Sequence, residues 1–196
     1  MKRDEFMQIH WKYYLLLEED FLRTTRYVEL DQANFDTFSK EYYKIFMSIC
    51  MESEALMKAI SGIGGNAYSN IGDFGAGVLN KYPGITNKEV SVNYTNIILK
   101  PYDGWLASAA RKTLKWWDAY DDAKHDRVAM DSKANLDNVI NALAGLYILE
   151  YLYLNEIVDV ENEPNVPDEL SRLFTYRDDD PDWVAQSTVF YKMVKV

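Results

Sequence analysis

Cysteine occurs only once in the chain, at Cys50. No intrachain disulfide can form, so nothing points to an oxidising compartment. Cys50 lies in the apolar run Ile45 to Met51, where a thiol reads as a small buried hydrophobe rather than a nucleophile. Histidine is almost as scarce, with His10 and His125 alone, and no zinc-ligand spacing results from them. Long hydrophobic runs are also missing. The most apolar stretch, Ala142 to Leu154, is interrupted by Glu150 and is shorter than the ~20 residues that span a bilayer. The opening Met1-Lys2-Arg3-Asp4-Glu5-Phe6 has no apolar segment behind its basic pair and does not read as a secretory signal. The expectation is a cytoplasmic protein with no membrane contact. Positive charge is in deficit, 21 Lys and Arg against 31 Asp and Glu, for a net charge of −10. That balance excludes nucleic-acid or anionic-lipid binding by the surface as a whole, while leaving room for a local basic site.

What the chain does have is aromatic and apolar side chains in helical register. Aromatic residues make up 14% of it, which rules out disorder as the dominant state. Eight of the nine glycines fall between Gly62 and Gly104, which separates two glycine-poor segments fit for long helices from an irregular middle. Met7, His10, Trp11, Tyr14, Leu17, Phe21 and Val28 recur at helical steps and predict a helix from about Asp4 to Leu30. After a turn at Asp31 to Asn34, the stripe Phe38, Tyr42, Ile45, Ile49, Leu56 and Ile60 predicts a second helix, antiparallel to the first. The middle predicts a short helix within 68–81 and a strand at 88–94 paired with 95–99. Helix resumes from Leu106 to about Arg127 and again from Ala134 to Ile157. The tail offers a last strand at 188–194. The length suits one domain, 1–196, divided into a helical hairpin 4–60, an irregular insertion 61–104, a second hairpin 105–157 and a tail 158–196.

Several motifs dissolve on inspection. Gly62-Ile63-Gly64-Gly65-Asn66-Ala67 follows a helix instead of a strand, so it reads as a helix end and not a dinucleotide turn. Asp73-Phe74-Gly75 matches a kinase triplet without any of its companions. Asp118, Asp121, Asp122 and His125 fall within two helical turns, but the simpler reading is a solvated acidic stripe with an Asp–His pair. No cofactor or metal site is indicated.

The segment Trp116-Trp117-x-x-Tyr120-x-x-x-Lys124-His125-x-Arg127 is the informative one. A histidine beside Arg and Lys is the equipment for metal-independent RNA cleavage. His125 would take the 2′-hydroxyl proton as base, and Arg127 and Lys124 would hold the phosphate, with Tyr120 and His10 in support. The alternative is structural: basic residues in a last helical turn complement the helix dipole and pair with Glu18, Glu52 or Asp122. That second reading implies a melting temperature lowered by several degrees in His125→Ala or Arg127→Ala.

This segment and the apolar helix 138–154, with His10-Trp11-Lys12-Tyr13-Tyr14, Arg26-Tyr27-Val28-Glu29 and Cys50-x-Glu52 before them, resemble the bacterial HEPN-like proteins of toxin–antitoxin and abortive-infection systems. The resemblance spans about 6–60 and 101–155. It implies a mainly all-α fold, an antiparallel bundle of four to five helices, here with a glycine-rich insertion that holds a small β-hairpin. It also implies a homodimer or a cognate protein partner, and RNA or nucleotide as ligand. Active HEPN ribonucleases carry Arg four to six residues before the catalytic His, whereas here His125 precedes Arg127. The resemblance therefore implies a non-catalytic interaction or nucleotide-binding module in a defence or stress system. The endoribonuclease is the alternative, and enzymatic activity stays open between them.

Overall fold

The computed structural model describes residues 1–63, 69–161 and 166–177. The chain starts in helix α1 (Arg3–Phe6), passes through a π-helical stretch, Met7–Trp11, and continues as α2 (Lys12–Thr24). Phe6, His10, Trp11, Tyr14, Leu17 and Phe21 form its buried face. The predicted helix stops short of Leu30. The hydroxyls of Thr24 and Thr25 donate to the carbonyls of Phe21 (2.6 Å) and Leu22 (2.8 Å), and the chain leaves the helix there.

Helix α3 (Lys40–Ser61) starts later than its apolar stripe suggested, because Ser39 is its N-cap, with Oγ accepting from the Tyr42 N–H at 3.0 Å. Phe38 lies outside it, bridged to Asn135. Gly62, at φ +71°, closes the helix in the left-handed conformation that a side chain would strain. Phe21 meets Tyr42 and His10 meets Glu52, so α2 and α3 run antiparallel.

Helix α4 (Ile71–Lys81) begins with a reciprocal capping box between Asn70 and Asp73. It crosses the end of α3 very closely: a Cβ on Gly77 would lie 2.3 Å from the Ser61 Cβ and 3.1 Å from its Cα. Gly77→Ala is expected to lower stability by about 1–2 kcal/mol in urea unfolding. Separating the two helices costs more than alanine gains in helix propensity. An unchanged urea midpoint would show that the crossing yields without cost.

Strand β1 (Glu89–Val92) pairs antiparallel with β2 (Ile98–Leu99), as its alternation predicted. A third strand, β3 (Phe174–Arg177), lies on the other side of β1, giving the order β2-β1-β3. The predicted strand at 188–194 lies outside the described residues, as does most of the glycine motif at 62–67.

The helix expected from Leu106 to Arg127 is broken. A 3₁₀ turn, Ala107–Ala109, leads into α5 (Ala110–Thr113), and the backbone departs from helix at Leu114 (φ −90°, ψ 90°) before α6 (Lys115–His125). Leu114 is buried, and the Thr113 hydroxyl accepts from the Leu106 N–H at 2.9 Å, tying the turn back on itself. Helix α7 (Leu136–Glu161) is the axis of the core, touching α1, α2, α3, α6 and β3. Residues 142–151 are buried without interruption. This is why the segment is apolar all round: it is enclosed by protein. No helix among the described residues is long and apolar enough to cross a membrane. The described residues are mostly helical with a small three-stranded antiparallel sheet, as the mainly-α reading required.

Candidate functional site

Two places bring chemically useful side chains together. The first is the face of α6 that carries the basic segment. Trp116 and Trp117 are buried, with Trp116 Nε1–H donating to the Pro101 carbonyl at 3.0 Å, and they fix the rotation of α6. Tyr120 packs edge-on against Phe46 and Trp117, and burial raises its phenol pKa, so it stays protonated. Lys124, one turn on, lies 5.4 Å over the Tyr120 ring. Both line an open groove of about 550 Å³ with Arg111 and Lys112 from α5, Trp117, Glu54 from α3 and Asn70 and Phe74 at the start of α4.

Arg111, which sequence reasoning overlooked, organises this face. Its guanidinium reaches Asp121 (2.9 Å), Asp122 (3.1 Å) and Asp118 (3.2 Å), and Lys112 adds a contact to Asp118 at 2.9 Å. The acidic stripe of α6 is thus neutralised by α5, which the break at Leu114 folds back beside it.

His125 and Arg127 do not enter the groove lining. The His125 side chain is 71% exposed, with Nε2 3.4 Å from Asp121 on the same helix. The Arg127 guanidinium stacks 5.3 Å over the Tyr43 ring. The anticipated ion pairs with Glu18, Glu52 or Asp122 are not formed: Asp121 is the partner of His125, and Glu18 and Glu52 are engaged elsewhere. Because this Asp–His pair is so exposed, it contributes little to stability.

His10 belongs to the second place, between the helices. Sitting on the π-helical stretch, its ring is walled by Phe6 (5.7 Å) and Tyr153 (6.4 Å), and it is only 6% exposed. Its Nδ1 is 2.6 Å from Glu52 Oε1 on α3. Glu150 on α7 completes the group, and one ligand atom of each residue lies within 4.8 Å of the other two. Glu150 is wholly buried, and neither carboxylate oxygen has a hydrogen-bond partner among the described residues. Burial, and then the charge of Glu52, raise its pKa well above the usual carboxylate range. The signal for Glu150 was in the sequence, as the one charge interrupting the apolar stretch Ala142 to Leu154. Its meeting with His10 and Glu52 was not, because the three are far apart in the chain.

Cys50 is fully buried, and desolvation holds its thiol pKa well above the ordinary value, as suits a core residue. Comparison with protein-family models, with curated proteins and with solved structures finds no match to this chain in any of the three.

Proposed function

We propose that this protein is a HEPN-like helical binding module without nuclease activity, and that the α5–α6 groove receives the phosphate and base of a nucleotide or an RNA end. The observation that carries this reading is the lining of the groove. Arg111, Lys112 and Lys124 line it beside the rings of Trp117 and Tyr120; Asp118, Asp121 and Asp122 hold Arg111 and Lys112, which leaves Lys124, over the Tyr120 ring, to meet a phosphate. Cations next to aromatic faces are what a base and its phosphate require. The mostly helical fold supports this reading. The splayed positions of His125 and Arg127 favour binding over catalysis.

The test is binding of a fluorescently labelled single-stranded RNA pentamer and of AMP, at two salt concentrations, with RNA integrity followed in EDTA. Binding is expected to weaken about tenfold in Lys124→Ala, as for the loss of one charge-assisted hydrogen bond, and to weaken with salt. The RNA is expected to stay intact. Absence of binding to both probes would refute the reading. Cleavage abolished by His125→Ala would replace it with the endoribonuclease reading, in which His125 is the base and Arg127 and Lys124 hold the phosphate.

A further inference from the structure

The cluster between α1–α2, α3 and α7 has no part in the groove, yet it is the more unusual arrangement. A core carboxylate with no hydrogen-bond partner is costly, and natural cores rarely keep one without a compensating ligand or proton. Glu150 is such a group, and it is accompanied by a second carboxylate and an imidazole.

We propose that His10 Nδ1, Glu52 and Glu150 form a binding site for one divalent transition-metal cation. Four observations converge on it. The ligand atoms lie within 4.8 Å of one another, close to the roughly 3–4.2 Å that separates two ligands on an ion with bonds of about 2.1 Å. The 2.6 Å approach of His10 to Glu52 is hydrogen-bonded, and it opens modestly when the ion takes the place of the shared proton. The charges match, since two carboxylates and a neutral imidazole balance a dication inside the core. Finally, His10 is delivered by a π-helical stretch, an irregularity that recurs at functional sites because it re-aims a side chain that a regular helix would place elsewhere. It allows the consecutive residues His10 and Trp11 both to face inward.

The donor set selects the class of ion. Cys50, two residues from Glu52, is not a member of the cluster, so the ligands are one nitrogen and two carboxylates. Such a set suits Mn²⁺, Fe²⁺ or Zn²⁺ and disfavours the thiolate-seeking ions. Three protein ligands leave at least one coordination position for water, and the partly exposed Glu52, at 14% of its side chain, marks the side from which solvent reaches the ion.

The experiment uses the full chain stripped with EDTA and dialysed, then titrated calorimetrically with Mn²⁺ and separately with Zn²⁺, with melting followed by circular dichroism. One ion per chain is expected, with melting raised by roughly 5–10 °C at a hundredfold excess over Kd. Glu150→Gln is expected to lower affinity by more than about 100-fold, beyond the loss seen when only a residue supporting a ligand is changed. Glu52→Gln provides a second variant if Glu150→Gln does not fold. His125→Ala controls for surface binding and is expected to leave the titration unchanged. No saturable one-to-one binding of either ion would overturn the proposal. So would equal affinity in a folded Glu150→Gln or Glu52→Gln protein, or loss of binding in His125→Ala.

Discussion

Glu18→Ala is expected to lower the melting temperature by roughly 10 °C, the largest loss of any single substitution considered. Glu18 is completely buried in α2. It accepts the Tyr14 hydroxyl at 2.8 Å, the Arg172 N–H at 2.9 Å and the Leu173 N–H at 3.2 Å, and also the Ser171 hydroxyl. Alanine removes every acceptor at once and leaves two backbone N–H groups unsatisfied. Each of these costs about 1–3 kcal/mol, and a loss of about 3–5 kcal/mol in a chain of this size shifts melting by about 2–4 °C per kcal/mol. The effect is not confined to α2. The carboxylate holds the strand-entry segment 171–173, and Trp11 Nε1–H holds the Glu169 carbonyl at 2.8 Å just before it. Losing the Glu18 clasp should therefore release β3 from β1 first. Thermal melting should fall, and hydrogen exchange at the β1–β3 amides should accelerate before exchange in α7. Unchanged melting, or uniform acceleration across the fold, would show that the clasp does not hold the strand.

Glu150→Gln is expected to act in the opposite direction in metal-free protein at neutral pH. The folded state raises the Glu150 pKa, through burial first and the Glu52 charge second. In the unfolded chain the same carboxyl titrates near 4.3. Between these two values the folded protein holds a proton that the unfolded chain has lost. Stability from this group is therefore fully present below about pH 4.3 and declines as pH rises towards the folded value, by up to about 1.4 kcal/mol per pH unit. Glutamine cannot ionise, so the variant lacks this decline. Urea unfolding in EDTA at pH 5, 6.5 and 8 should show Glu150→Gln gaining on the wild type as pH rises. Parallel profiles would mean that the ionised carboxylate is already compensated in the core. A saturating metal ion would reverse the order at pH 8, because only the wild type retains the full ligand set.

The two carboxylates differ instructively although both are buried in helices. Glu18 stands one turn from Tyr14 and is surrounded by donors from the chain's far end; Glu150 sits beside His10 and Glu52, and neither of its oxygens has a hydrogen-bond partner among the described residues. In the sequence the first entered only as an ion-pair partner for the basic segment, and the second as a break in an apolar run. Neither spacing nor composition could rank them, because the cost of a buried charge depends on partners more than a hundred residues away.

The same distinction runs through the candidate groove. Lys124 and Tyr120 are one helical turn apart, so their pairing followed from the sequence. His125 and Arg127 are two residues apart in the chain but meet different partners, because α6 ends at His125, which pairs with Asp121, and Arg127 stacks on Tyr43 of α3. Arg111 escaped notice because a continuous helix through Leu114 would have carried it away from the acidic stripe.

By itself the sequence determined the features that arise within one or two helical turns. These were the buried faces of α2 and α3, the apolar character of α7, the helix end at Gly62, and the alternation that makes β1 and β2 a hairpin. Local backbone geometry and side-chain periodicity dictate such features wherever the segment packs. Only the tertiary structure decided where α2 and α3 end and begin, that β3 joins β1 from the other side, that α5 folds against α6, and that His10, Glu52 and Glu150 meet around one point. Those outcomes depend on which distant donors satisfy a hydroxyl, a strand edge or a carboxylate once water is excluded, and that is fixed by packing.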